Sequence, residues 1–261
     1  MNPLYLVCCL CFFTIAFMLH TTQGIVLKTF KYSETSVIAK VYTQKLGLQS
    51  YIINGVHTPK AKYKPALLQP LSLLDMVVYA REHKEIQHVK EIAPAGMLVS
   101  IPHHVVKSAI ALFIAEILYK TLKEETGNAE QFDFLQNTIL FLDQCTSNQV
   151  VANLHLWFLV HFTAYLGFFP QQNFFYTDRN IFDLREGLFV HRLPTHPYSL
   201  TLPHSYTLSQ LLKMPIDQID LIKLDKKQRH ELLGAMVNYY QLHVAGFSEV
   251  KSVQVLNDVF A

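Results

Sequence analysis

Over the first third of the chain, apolar and polar positions alternate in short runs. Val37, Ala39 and Val41 alternate with Ile38, Lys40 and Tyr42, the period-two pattern of a strand whose two faces meet different surroundings. Five such runs are predicted as strands, over residues 22–30, 36–43, 48–54, 71–79 and 86–92. The separators carry turn chemistry: Tyr32-Ser33-Glu34, Lys45-Leu46-Gly47, a long loop over 55–70, and Arg81-Glu82-His83-Lys84. Five short strands in this space suit a small closed barrel of the OB type, whose face and loops receive single-stranded nucleic acid. An SH3-like barrel fits the same pattern nearly as well.

After Ile92-Ala93-Pro94-Ala95-Gly96, which reads as a linker, the period changes. Val105, Ala109, Leu112, Phe113, Ala115, Ile117 and Leu118 recur at helical spacing within 103–123, and Thr126-Gly127-Asn128 closes that helix. A second helix is predicted over 130–144. A third, over 150–166, is apolar nearly all round (Leu154, Leu156, Trp157, Phe158, Leu159, Val160, Phe162), which places it at the centre of a helical domain. Residues 168–203 are irregular, apart from a β-hairpin in which Ile181-Phe182-Asp183-Leu184 and Leu188-Phe189-Val190 are joined through Arg185-Glu186-Gly187. Ser205 or Thr207 is expected to cap a short helix to Leu212, and Asp225 a longer one containing Leu232, Leu233, Met236, Val237 and Tyr240. Residues 247–261 carry no clear signal. The predicted class is α+β: a five-stranded OB-type β-barrel over 18–93, then a mainly α-helical domain over 94–261 with a small hairpin insertion near 180–190.

Composition bounds this picture without deciding function. At 261 residues, 51% hydrophobic and 16% charged, the chain is too apolar for a disordered protein and long enough for two small domains. The formal net charge of +2 conceals an asymmetry. Residues 1–95 hold ten basic and five acidic side chains, and the remainder twelve and fifteen, which points to an anionic partner for the first part. Leu4 to Leu19 is an uncharged apolar run of sixteen residues, short for a membrane span and about right for a signal peptide. No Lys or Arg precedes it and no clean cleavage site follows, so residues 1–17 are read as a stretch translated upstream of a true start at Met18. A signal or anchor segment is the alternative, and with it an exported or membrane-anchored binding module.

Cys8, Cys9 and Cys11 lie in that run. Cys145 is left alone in the body, expected to be small and buried, with no disulfide framework and no thiolate zinc site. Histidines gather at His103-His104 and at His191, His196 and His204, with no ligand spacing. His155 and His161, six apart, fall on different faces of a helix, so these imidazoles are expected to cap helices or lie at the surface, with no metal bound. No Gly-x-Ser-x-Gly, Walker, Gly-x-Gly-x-x-Gly or His-Glu-x-x-His motif occurs. Asp183 and Glu186 are expected to pair with Arg185 or Arg192 in a turn. The candidate chemistry is instead a basic set, Lys28, Lys31, Lys60, Lys62, Lys64, Arg81 and Lys84, interleaved with Tyr32, Tyr42 and Tyr63. Lysines release counterions on meeting phosphates and aromatic rings stack on bases, neither requiring a particular sequence.

Several of these residues together resemble the RecO recombination mediators of bacterial DNA repair, most closely their Bacteroidetes branch. The resemblance begins with Met18-Leu19-His20, Thr22 and Gly24-Ile25-Val26-Leu27-Lys28, and continues through Tyr32-Ser33-Glu34-Thr35-Ser36 and Val41-Tyr42-Thr43 to Gly47. It resumes from Gly55 to Leu68-Gln69-Pro70-Leu71-Ser72-Leu73-Leu74. Weaker similarity covers Gly167-Phe168-Phe169-Pro170, Asn173 and the hairpin through Phe189. The resemblance implies an OB barrel and a helical domain that bind single- and double-stranded DNA, anneal complementary strands and involve no catalysis. It implies as partners RecR and the acidic, hydrophobic tail of single-stranded DNA-binding protein, so that RecA replaces that protein, in the cytoplasm at the nucleoid. Carried over by position, Lys28, Lys31, Lys60, Lys62 and Lys64 become DNA contacts. The four-cysteine zinc site of some relatives has no counterpart here, so no cofactor is expected. Where relatives often carry a Gly-Ala-Arg/Lys run, this chain has Gly55-Val56-His57.

Overall fold

In β1 (Met18–Lys31) one strand of 14 residues serves two partners. The computed structural model describes residues 18–58, 61–80, 84–123 and 126–260; the readings made above for residues 1–17, Lys60 and Arg81 lie outside them. The first half of β1 pairs with β4 (Leu73–Ala80) and the second half with β2 (Val37–Thr43). The strand therefore starts four residues earlier than the alternation suggests. Gly24 marks the changeover, opposite both Thr43 and Leu74. A Cβ there would lie 2.6 Å from Val41 and 2.8 Å from Met76, so only glycine lets the barrel interior close at this point.

β3 (Gly47–Ile53) follows β2 through a tight turn, and β5 (Ile86–Pro94) inserts between β3 and β4. The closed order β1-β2-β3-β5-β4, with β3 and β5 parallel, is a Greek-key barrel of the OB kind. Val26, Val37, Ala39, Val41, Tyr51, Ile53, Met76 and Val78 fill its interior.

The helical half follows the predicted order. α1 (Val105–Thr121), α2 (Ala129–Gln144) and α3 (Asn148–Phe162) are capped by His104, Asn128 and Ser147 respectively. α3 is buried along nearly its whole length, as its unbroken apolarity requires. The hairpin β6 (Ile181–Asp183) and β7 (Leu188–Val190) gains a third strand, β8 (Ser199–Leu200), that the sequence did not signal. α4 (His204–Leu211) begins at Pro203 rather than at Ser205 or Thr207, both of which lie inside it. α5 (Lys226–His243) has the expected Asp225 cap, completed by Gln228 into a capping box. α6 (Ser252–Val259) occupies the stretch that carried no signal.

Helices and barrel share packing. Ile25, Leu27, Tyr42, Leu71 and Leu73 of the barrel wall belong to the same hydrophobic cluster as α1, α2 and α3. Tyr42 stacks on Phe132 and donates its hydroxyl to Gln131 at 2.9 Å. Gly127 allows the α1–α2 connection to touch the β2–β3 turn, because a Cβ would collide with the backbone of Gln44 and Lys45. The sequence reading of Gly127 as a helix stop missed this second constraint.

Candidate nucleic-acid interface

Directly opposed residues of neighbouring strands share one face of a sheet, so strand register assembles the outer surface of the barrel. One row runs Lys28, Lys40, Ser50, Ile86 across β1, β2, β3 and β5, and the next runs Phe30, Ile38, Ile52, His88. Lys28, Phe30, Ile86 and His88 are exposed, and Ile38, Lys40 and Ile52 half-buried. The Lys28 ammonium lies 5.1 Å from the centroid of Phe30 and 4.9 Å from that of Tyr119 on α1, which spreads its charge over two rings.

Lys28 and Lys40 are a like-charged pair directly across two strands, an arrangement that destabilises a sheet unless an anion relieves it. Neither takes part in an ion pair among the described residues. Lys31 and Tyr32 stand exposed where the strip meets the β1–β2 turn, and that turn is tied to the next loop by a hydrogen bond from Ser36 to Asn54 and one from the His57 amide to the Thr35 carbonyl. Lys84 is exposed just before Ile86, and its carbonyl accepts from Gln87.

The other described members of the basic set, Lys62 and Lys64, lie elsewhere. Lys62 and Tyr63 line a cleft of about 350 Å³ with Thr21, Met76 and Ile92, next to the carboxylates of Asp75 and Glu91. The Lys62 ammonium sits 5.2 Å over the Tyr63 ring, and Lys64 caps a short 3-10 turn, exposed. The cleft along β4, β5 and the first half of β1 thus carries Lys62 and Tyr63, while the strip carries Lys28 and Lys40. Tyr42, interleaved with the lysines in sequence, is buried against α2 and unavailable for stacking. Sequence reasoning missed Phe30, Lys40 and Tyr119 as neighbours of Lys28. The alternation Ile38, Lys40, Tyr42 did place Lys40 on the outward face, but the register across strands was needed to set it beside Lys28.

Residues 18–97 match the family described as Recombination protein O N terminal, and residues 102–252 that described as Recombination protein O C terminal. The chain belongs to the RecO family. It is 34% identical over 244 residues to a DNA repair protein RecO of Bacteroides fragilis, covering 93% of this chain and all of that one. A RecO of Christiangramia forsetii is 33% identical, with the same coverage, and one of Flavobacterium psychrophilum is 34% identical over 92% of this chain and 98% of its own. The family consists of DNA repair and recombination mediators, which are not enzymes.

The remaining candidate residues in this RecO-family chain serve structure. Asp183 accepts hydrogen bonds from the amides of Arg185 and Glu186 and pairs with His196 at 3.4 Å. Its partner is therefore not the Arg185 or Arg192 side chain; Arg185 lies over the Tyr198 ring instead. Cys145 is half-buried, not fully. His104 caps α1 through Nδ1, and His161 bonds the Leu211 carbonyl at 3.0 Å. His155 departs from the expectation of a capped or surface imidazole, being wholly buried. Among the described residues no group of three or more His, Cys, Asp or Glu could hold a metal ion, and no helix is long and apolar enough to cross a membrane.

Proposed function

We propose that the outer strip of the barrel is the primary DNA-binding surface and that the protein anneals strands by holding them against it. The carrying observation is the unrelieved Lys28–Lys40 pair beside the exposed ring of Phe30. Two ammonium groups without carboxylate partners take phosphates at little desolvation cost, and a neighbouring ring offers bases a stacking face. Lys31, Tyr32 and Lys84 extend the surface at its ends, and Arg81 and Lys60 are retained as contacts from the loops that carry them. Lys62, Tyr63 and Lys64 would form a second, weaker contact, because Asp75 and Glu91 offset their charge. Two strands on one basic surface repel each other less, so annealing needs no covalent step.

The proposed partners are RecR, the acidic tail of single-stranded DNA-binding protein, and RecA as the beneficiary, in the cytoplasm at the nucleoid. A groove of about 400 Å³ between β1, α1 and α6 supports tail docking. Its apolar surface includes Leu112 and Val255, and Lys28, Lys120 and Lys251 stand around it.

The decisive test is a salt titration with single-stranded DNA. Lys28→Ala with Lys40→Ala should weaken binding for all sequences and flatten the plot of log K against log salt by about 1.4, at about 0.7 per lost phosphate contact. Lys62→Ala with Lys64→Ala should do less. The opposite ranking would transfer the primary site to the β3–β4 loop.

A further inference from the structure

Lys28 belongs to two surfaces at once. On β1 it stands exposed, directly across from Lys40 in the outer strip of the barrel, and it also lines the groove of about 400 Å³ between β1, α1 and α6. Its ammonium sits at the border between them. It lies 5.1 Å from the centroid of Phe30 on the strip and 4.9 Å from that of Tyr119, which lines the groove. The two rings are 6.3 Å apart, so both draw the charge to the same ridge of aromatic carbon.

The neighbouring cations divide between the two surfaces. Lys40 belongs to the strip, and Lys120 and Lys251 to the groove. Lys120 is already engaged by Glu116 at 3.5 Å and by the Ser248 hydroxyl at 2.7 Å. Glu116, which also lines the groove, is committed to the amides of Lys251 and Ser252. Lys28 and Lys251 enter no ion pair among the described residues. The groove therefore offers an acidic peptide two uncommitted ammonium groups, alongside the exposed apolar side chains of Leu112 and Val255. One of those two ammonium groups is also the cation that the strip offers to a phosphate.

A single ammonium cannot serve two anions independently. A phosphate and a carboxylate both hydrogen-bonded to one nitrogen stand at most about 6 Å apart. That is inside the screening length of about 8 Å at physiological ionic strength, so they repel each other. We infer that DNA on the strip and an acidic peptide in the groove antagonise each other through Lys28. The inference rests on the strip and the groove being the sites of those two ligands. A partner tethered by an acidic segment is then loosened as the strand it accompanies settles on the barrel. By the same linkage, a molecule already loaded with DNA holds such partners weakly.

Fluorescence anisotropy of the full chain tests this, with an oligothymidylate and a labelled peptide of three aspartates followed by two leucines. Saturating oligothymidylate is expected to weaken peptide binding at least fivefold, about the lower end of ordinary coupling between sites, and saturating peptide to weaken DNA binding by the same factor. The factor should shrink as salt rises. Lys28→Ala should weaken both ligands and reduce the coupling to less than about twofold. Lys40→Ala should weaken DNA binding and Lys251→Ala peptide binding, and both variants should keep the coupling. Independent or mutually favourable binding would overturn the inference and leave both sites standing. Coupling of full size in Lys28→Ala would also overturn it, by assigning the antagonism to the overall charge of the ligands. Peptide binding that neither Lys251→Ala nor Val255→Asp weakens, or DNA binding that Lys40→Ala does not weaken, would instead remove one of the two sites, and the inference with it.

Discussion

Acid should weaken the fold through His155. Its unfolded imidazole titrates near the ordinary value of about 6.5, whereas in the native state burial, with the Arg229 charge second, holds it at about 3. Below about 6.5 the unfolded chain takes up a proton that the native state refuses. This contribution to stability is complete above about 6.5 and declines as pH falls toward about 3, at about 1.4 kcal/mol per pH unit. Urea denaturation at pH 7 and pH 4.5 should show wild type losing more stability than His155→Phe, and parallel losses would count against the buried neutral imidazole. The expectation of a capped or surface imidazole failed at His155 because its helix is apolar nearly all round and is buried along nearly its whole length. Lys40 shows the converse: its outward direction was readable, its neighbour Lys28 was not.

Helices differed in how openly they announced themselves. α5 carries its own start signal, Asp225 and Gln228 three residues on, and was legible. α6 does not, because its cap comes from α1. Glu116 accepts from the amides of Lys251 and Ser252 and from the Ser252 hydroxyl, 136 positions away in sequence from that serine. Burial alone would raise the Glu116 pKa, but the Ser252 and Lys251 hydrogen bonds and the Lys120 charge together hold it below the usual carboxylate range. Its stabilisation of α6 is therefore present above the ordinary carboxylate pKa and is lost as pH falls through the depressed one. Glu116→Ala should cost about 1 kcal/mol, as lost caps do, and speed amide exchange in α6 more than in α3. Equal protection in both helices would remove Glu116 from this role. Likewise, β8 consists of two residues whose strand character exists only because β6 lies beside them.

At the scale of the molecule, the barrel's outer wall is partly a helix-packing surface. Ile25, Leu27, Leu71 and Leu73 belong to the same buried cluster as α1 and α2, and Tyr42 and Gly127 add contacts of their own between the two halves. Gly127→Ala should force the β2–β3 turn and the α1–α2 connection apart, at a cost of about 1–3 kcal/mol. Because the two halves share buried surface, heating should give a single transition with equal calorimetric and van 't Hoff enthalpies. Two resolved transitions would show that the halves unfold independently.

The sequence by itself determined which segments become strands and helices, since hydrophobic periodicity and local caps are short-range properties. It also determined the basic bias of the first part and, through scattered motif residues, the family. Only the tertiary structure decided which outward residues stay wet. Tyr42 and Lys40 share a strand face, yet α2 covers one and leaves the other beside Lys28. Register between strands and the docking of helices on a barrel wall are set by contacts between residues distant along the chain, and no local pattern encodes them.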